Sequence, residues 1–254
     1  MTNLQADDPS AVPTGFAARH RHATSRLGSA QKSTVGVAAY LRWVNRPLGG
    51  RLAAIGYGLE ATPNHLTAIS ALWSFGAIAA LALVRPEPWI AVAIAAALLI
   101  GYAFDSADGQ LSRVRGGGSP AGEWLDHVVD IAKTTSLHAA VAISLYRFDA
   151  DRAAGWLLVP LAFGIVQVTF FFAMMLRDQL GGKPPKSPAG QPASPVKALA
   201  LLPMDFGLLG IVFVTRAQTS LFLACYGGLA LFTFLFSCRS LPKAYRTIRD
   251  AATN

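Results

Sequence analysis

The chain has 254 residues, 53% of them hydrophobic and only 14% charged, with a mean hydropathy of +0.40. That is too apolar for an ordinary soluble domain and reads as a polytopic membrane protein. The net charge of +8 sits in Lys and Arg residues that flank apolar segments, without interleaved aromatics, which favours an anionic lipid surface as partner and excludes nucleic acid.

Residues 1–33 carry Asp, Pro, Ser, Gly, His and Arg without apolar periodicity or the apolar core of a signal peptide, and are expected to be a disordered cytoplasmic tail. In the next segment, residues 34–60, Tyr40, Leu41, Val44, Leu48, Leu52, Ile55 and Leu59 recur at threes and fours, with Arg42, Arg46 and Arg51 outside that stripe. This pattern predicts an interfacial amphipathic helix, bent or restarted at Pro47.

A membrane domain is expected over 61–240, all-α and six helices in number. Thr62-Pro63-Asn64-His65-Leu66-Thr67 opens the first, with a proline suited to a first turn and no charge from Leu66 to Val84. A turn at 85–88 leads to the second, uncharged from Trp89 to Phe104. The third starts at Ser119-Pro120 and ends near Tyr146. The fourth spans Ala153 to Leu176, with Gln167 and Thr169 as interhelical hydrogen-bonding residues. Gly181 to Pro195 reads as a mobile loop. The fifth helix, Ala198 to Thr215, is short and contains Asp205; the sixth, Thr219 to Phe236, precedes a basic tail at 241–254. Cys225 and Cys238 share that last apolar segment and give neither a disulfide framework nor metal-ligand spacing.

Between the second and third helices lies Asp105-Ser-Ala-Asp108-Gly109-Gln-Leu-Ser112-Arg113, then eight residues, then Gly122-Glu-Trp-Leu-Asp126-His-Val-Val-Asp130. On a helix, Asp105, Asp108 and Ser112 share one face, and so do Gly122, Asp126 and Asp130. Gly116-Gly-Gly-Ser-Pro120 must break the helix and fold the second strip against the first, so that four aspartates converge. Unpaired anions in a low-dielectric setting need protons or divalent cations, and oxygen-only ligands favour Mg²⁺ or Mn²⁺.

These residues resemble the CDP-alcohol phosphotransferase pattern D-x2-D-G-x2-A-R-x8-G-x3-D-x3-D, departing from it only at Ser112, where the family usually has alanine. The T-P-N-x-x-T opening of the first helix is similar to the same family. The resemblance covers about Thr62 to Arg239. It implies a six-helix bundle, usually a homodimer, that moves a phosphoalcohol from a CDP-linked donor to an acceptor alcohol with release of CMP, in phospholipid biosynthesis. It also implies that Asp105, Asp108 and Asp126 are metal ligands for two divalent cations and that Asp130 is the base and a further ligand.

Under that chemistry Gly109 and Gly122 allow close approach of the nucleotide, with Asn64 and Ser112 beside them, and Arg113 grips a phosphate or the ribose side unless it only anchors to lipid headgroups. Lys133 either meets an acceptor phosphate or snorkels onto a carboxylate. With Arg177, Lys183 and Lys186 it supports the expectation of a phosphorylated acceptor. His127 is one residue off the aspartate face and is expected to point elsewhere, and His138 to be a hydrogen-bonded packing residue. The role of Asp205 is open, because no arginine follows it.

Orientation follows from the basic residues. Seventeen Lys and Arg fall on the side of the amino terminus and only Arg85, Arg147, Arg152 and Arg216 on the other, which places both termini and the aspartates at the cytoplasmic face of the cell membrane. A cation- or proton-coupled transporter is the alternative reading of intramembrane acids. All four lie at one membrane edge, however, with no internal repeat to complete a path.

Overall fold

The computed structural model describes residues 14–149, 154–180 and 194–251, and no strand occurs among them. Helices account for nearly all of it: α1 (Phe16–Leu27), α2 (Arg46–Gly58), α3 (Pro63–Leu83), α4 (Pro88–Val114), α5 (Pro120–Phe148), α6 (Leu158–Gln179), α7 (Pro195–Ala200), α8 (Phe206–Val212) and α9 (Thr219–Ala251). Five spans are long and apolar enough to cross a bilayer: α3, α4, α5, residues 154–179 containing α6, and α9.

Local chemistry sets the helix ends. Pro63, Pro88, Pro120 and Pro195 all fall in first turns, where a missing N–H costs nothing. Thr62 closes a capping box with His65: its hydroxyl accepts from His65 N, and His65 Nδ1 accepts from Thr62 N, both at 3.3 Å. α4 runs on through the aspartate stretch and stops at a Schellman turn, in which Gly116 N donates to Arg113 O (3.1 Å) and Gly117 N to Ser112 O (3.0 Å). Gly116 (φ 97°) and Gly117 (φ 127°) adopt positive φ there, and Ser119 then caps α5 by accepting from Gly122 N at 3.0 Å.

Two apolar clusters hold the bundle. The larger joins α3, α4, α5, α6, α8 and α9 around Leu98, Leu137, Val141, Phe163, Phe213, Phe222 and Tyr226. The smaller ties α1 and α2 to the start of α3 and the end of α4 through Ala23, Ala53, Ala54, Leu66, Ala107 and Leu111. α3 and α4 approach closely at Gly101, where an added Cβ would lie 3.1 Å from Ser70 O.

Three elements depart from the sequence expectations, and the restart expected at Pro47 is present. Residues 16–27, expected in a disordered tail, form α1, which docks on α2. Ala23 is fully buried, Arg19 pairs with Glu60 at 2.5 Å, and Arg19 Nε donates to Gly58 O at 3.2 Å. The apolar part of the docking falls to Phe16, Ala23 and Leu27, too few to stand out as a periodic stripe. The segment before α2 restarts at Pro47 as expected: it is π-helical over Leu41–Asn45 and continues as α-helix from Arg46, with Pro47 in the first turn. The expected fifth helix is broken into α7, a 3₁₀ turn at Leu202–Met204, α8 and a second 3₁₀ turn at Phe213–Ala217. Pro203 cannot continue the ladder, and Asp205 starts a new helix by accepting from Gly207 N at 2.9 Å. Finally, α9 absorbs most of the expected basic tail, running to Ala251 with Pro242 inside it. The loop expected over Gly181 to Pro195 lies outside the described residues up to position 193, beyond which Ser194 caps α7.

Candidate functional site

α4 and α5 both pack against α3 and are joined by the turn at Gly116–Ser119, so that their aspartate strips face a common space bridged by Lys133. Lys133, buried on α5, donates to Asp105 Oδ1 of α4 at 2.5 Å and lies 2.8 Å from Asp130 Oδ1 of its own helix. Its ammonium therefore ties the two strips together, which selects the carboxylate-paired alternative for this lysine. Asp108, only 5% exposed, accepts from Thr67 Oγ1 of α3 at 2.6 Å. Carboxylate oxygens of Asp126 and Asp130 and a ring nitrogen of His127 lie within 4.8 Å of one another.

A cavity of about 530 Å³ opens on this cluster. Asn64, Asp108, Gly109, Ser112, Arg113, Gly122 and Asp126 all line it, so most of the residues singled out in the sequence share one wall. Asp105 and Asp130 are not on that wall; they sit behind it on Lys133. At Gly122 an added Cβ would come within 3.2 Å of Ser119 Oγ and 3.5 Å of Asn64 Oδ1. Here the absent side chain keeps open a gap between α3 and α5. Gly109 faces Arg113, whose Nη1 would be 3.2 Å from such a Cβ. Arg113 Nε donates to Ala30 O at 2.6 Å, which fixes the guanidinium at the cavity edge.

Several residues enter the site without having been singled out. Lys32, from the linker after α1, and Arg115 add positive charge to the cavity lining. Thr67 supplies the Asp108 hydrogen bond; its place in the T-P-N-x-x-T stretch was the available signal. His127 also lines the cavity, contrary to the expectation that it points away. The residue next to Asp126 lies about 100° round the helix, yet its ring reaches back beside the carboxylates, 3.9 Å from Glu123 and edge-on to Phe171 at 6.1 Å.

Other candidates are occupied elsewhere. Asp205, 4% exposed, accepts from Gly207 N (2.9 Å), Leu41 N (2.8 Å) and Tyr102 OH (3.3 Å). It is a staple between the π-helical segment, α4 and α8. His138 bonds Tyr226 OH and, at 2.6 Å, Gln167 Oε1, a packed interhelical network as expected. Arg177 forks onto Asp178 at 2.5–2.8 Å, and Lys183 and Lys186 lie outside the described residues.

The chemistry of this donor set can be tested against divalent cations directly. Two carboxylates, Asp105 and Asp130, meet the buried Lys133, while Asp108 and Asp126 face an open polar cavity without a lysine partner among the described residues. Hard, oxygen-seeking ions fit such a set, which supplies more negative charge than its one cation offsets. The same cavity carries Lys32, Arg113 and Arg115 on its rim, suited to an anionic substrate. The transporter reading gains no support, since the acids gather at one end of α4 and α5.

A family model described as CDP-alcohol phosphatidyltransferase matches residues 60–237. No curated protein matches the chain.

Proposed function

The chain belongs to the CDP-alcohol phosphatidyltransferase family, and from that premise we propose that it transfers a phosphatidyl group from CDP-diacylglycerol to an acceptor alcohol at the Asp105–Asp130 cluster, releasing CMP. The observation that carries this reading is the convergence of Asp108, Asp126, Gly109, Arg113 and Gly122 on one cavity, with Asp105 and Asp130 directly behind.

Asp105, Asp108, Asp126 and Asp130 would hold two divalent cations, Mg²⁺ or Mn²⁺, which neutralise the diphosphate and stabilise the leaving CMP. The protein's own groups do the rest. Arg113, with Lys32 and Arg115 near it, draws the anionic donor into the cavity. Gly109 and Gly122 let the nucleotide lie against helix backbone, with Asn64 and Ser112 as polar neighbours. Thr67 aims Asp108, and Lys133 holds Asp105 and Asp130 in register across the two helices. Asp130 takes the proton from the acceptor hydroxyl as that oxygen bonds to phosphorus and the bond to CMP breaks.

The rest of the reading concerns placement. The broken segment from α7 to the 3₁₀ turn at Phe213–Ala217 completes a sixth crossing beside the five long spans, so that both termini and the cavity face the cytoplasm, as the charge distribution favours. The stretch 34–60 lies along that face as an interfacial element, with Trp43, Val44, Leu48, Ile55 and Leu59 exposed. The protein acts as a homodimer through α6, whose apolar window is only 11% buried against 33–39% in the other four spans. The acceptor carries a phosphate, matching the basic cavity rim.

The test supplies purified protein with CDP-diacylglycerol, Mg²⁺ or Mn²⁺ and a panel of acceptors (glycerol phosphate, inositol phosphate, serine), and follows CMP and the lipid product by mass spectrometry. Metal-dependent CMP release with a new phospholipid is expected. Release with free serine as the best acceptor overturns the phosphorylated-acceptor reading, and no release with any acceptor overturns the phosphatidyl-transfer assignment.

A further inference from the structure

A second cavity, of about 540 Å³, lies between α1 and the segment leading into α2, apart from the aspartate site. Arg42, Arg46 and Arg51 line it together with His20, Thr24 and Thr34, and no carboxylate among the described residues does. Its inner surface is apolar, made by Leu27, Pro47, Gly50 and Ala54. Three guanidinium groups line one space, where a phosphate would meet positive charge and N–H donors from more than one side. Burial lowers the Arg46 guanidinium from its ordinary value; Tyr102 opposes this, and the neighbouring Arg42 charge adds a smaller lowering. The Arg46 side chain meanwhile donates to the carbonyls of Lys32 and Ser33, both at 3.1 Å.

The linker from Gly28 to Thr34 separates this space from the aspartate cavity. Gly28, Gln31 and Thr34 face the arginine cavity, whereas Lys32 lines the other. The same linker holds α4 at two points: Gln31 Nε2 donates to Gln110 Oε1 at 2.6 Å, and Ala30 O accepts from Arg113 Nε at 2.6 Å.

We propose that the cavity between α1 and α2 binds the phosphate of an anionic ligand through Arg42, Arg46 and Arg51, and that its occupancy orders the linker that positions Lys32 and Arg113. The apolar floor beneath the arginines suits an amphiphile, so a phospholipid headgroup and free phosphate are the two sources to separate. This site is distinct from the proposed donor site and does not depend on the identity of the acceptor.

Full-length protein in neutral detergent is titrated calorimetrically with dihexanoyl phosphatidic acid, inorganic phosphate and dihexanoyl phosphatidylcholine, and hydrogen exchange over residues 28–34 is followed in parallel. Saturable binding of phosphatidic acid, with slowed exchange in the linker, is the expected result. In the Arg42→Gln/Arg51→Gln variant affinity falls by about tenfold, roughly 1.4 kcal/mol, while CDP-diacylglycerol binding stays within about twofold of wild type. Arg42→Lys/Arg51→Lys retains the site. Thr24→Trp, which fills the cavity from the exposed face of α1, weakens binding without removing charge and decides the matter if the glutamine variant does not fold. Phosphatidic acid binding much more tightly than inorganic phosphate identifies a lipid headgroup, and comparable affinities identify free phosphate. Equal affinity for phosphatidylcholine, or unchanged binding in both the glutamine and Thr24→Trp variants, overturns the site; unchanged linker exchange on binding overturns its coupling to the aspartate cavity.

Discussion

Two ionic clusters lie at opposite ends of α5, and they are built differently. At the C-terminal end Arg216, fully buried, meets one acid among the described residues: Asp149 at 2.7 Å, with Ser144 at 3.0 Å and Thr219 at 3.1 Å as further partners. Thr219 in turn donates to Asp149 Oδ1 at 2.5 Å, and the guanidinium lies 5.5 Å from the Phe222 ring centroid. One cation faces one anion, and Arg216 Nε alone is left without a partner in that network. Toward the N-terminal end, four aspartates gather where the buried Lys133 pairs with two of them, Asp105 and Asp130. A balanced buried pair fastens helices together; an excess of acid facing a cavity draws cations from outside. The contrast explains why the first cluster is assigned to stability and the second to chemistry.

That contrast can be broken from either side. Asp105→Ala removes a carboxylate from the unbalanced cluster and should abolish measurable turnover, a loss of about a thousandfold or more, roughly 4 kcal/mol of transition-state stabilisation. Thermal stability should fall less than on loss of Arg216, because Lys133 keeps Asp130 as its partner. CMP release beside Mn²⁺ binding by paramagnetic resonance checks it, and the two signals should fall together. Arg216→Met does the reverse: Asp149 loses its buried counter-charge, which costs about 3–5 kcal/mol of stability, while the fraction that remains folded keeps its specific activity. Adding Asp149→Leu should recover part of that stability, as read by thermal unfolding in detergent.

Smaller effects sharpen the boundary between holding and reacting. Thr67→Val leaves Asp108 in place but unaimed, and metal affinity or turnover should drop by about 10- to 100-fold, the usual range for a group that orients a ligand. Titration of activity against Mn²⁺ distinguishes this from a loss of fold. Asp205→Asn is the mildest, at about 1–2 kcal/mol of stability, since the amide oxygen still accepts one of the two backbone N–H bonds, from Leu41 N or from Gly207 N at the start of α8. Donor binding should be untouched, which would separate this acid from the other four.

Much of this was legible in the sequence because it is written in short-range chemistry. Long uncharged runs, Thr62 and Ser119 as caps, prolines in first turns and the glycines at 116–118 fix where α3, α4 and α5 begin and where α4 turns back. The two aspartate strips follow from helical spacing alone. What escaped were features decided by contacts between distant segments. α1 has little apolar surface of its own and is held by Gly58, Glu60 and the apolar cluster it shares with α2 and α4. Lys32 comes to the cavity only because that helix docks. The break at Pro203 and Asp205 depends on acceptor sites that Leu41 and Tyr102 occupy from far along the chain. His127 shows the limit of face counting, since a long side chain can reach past the angular position of its Cα.

The central claim is that the α4 strip holds the donor and Asp130 performs the proton transfer. It is tested most directly by measuring CDP-diacylglycerol affinity by titration alongside CMP release for Asp130→Asn and Asp105→Ala, in Mg²⁺ and in Mn²⁺. An amide at position 130 can still offer an oxygen but cannot take the hydroxyl proton. The account predicts that Asp130→Asn loses CMP release while donor affinity stays within about tenfold of wild type, 1.4 kcal/mol or less, whereas Asp105→Ala loses both. Near-normal turnover in Asp130→Asn would contradict its role as the base, and an equal loss of donor binding in both variants would make Asp130 a ligand first.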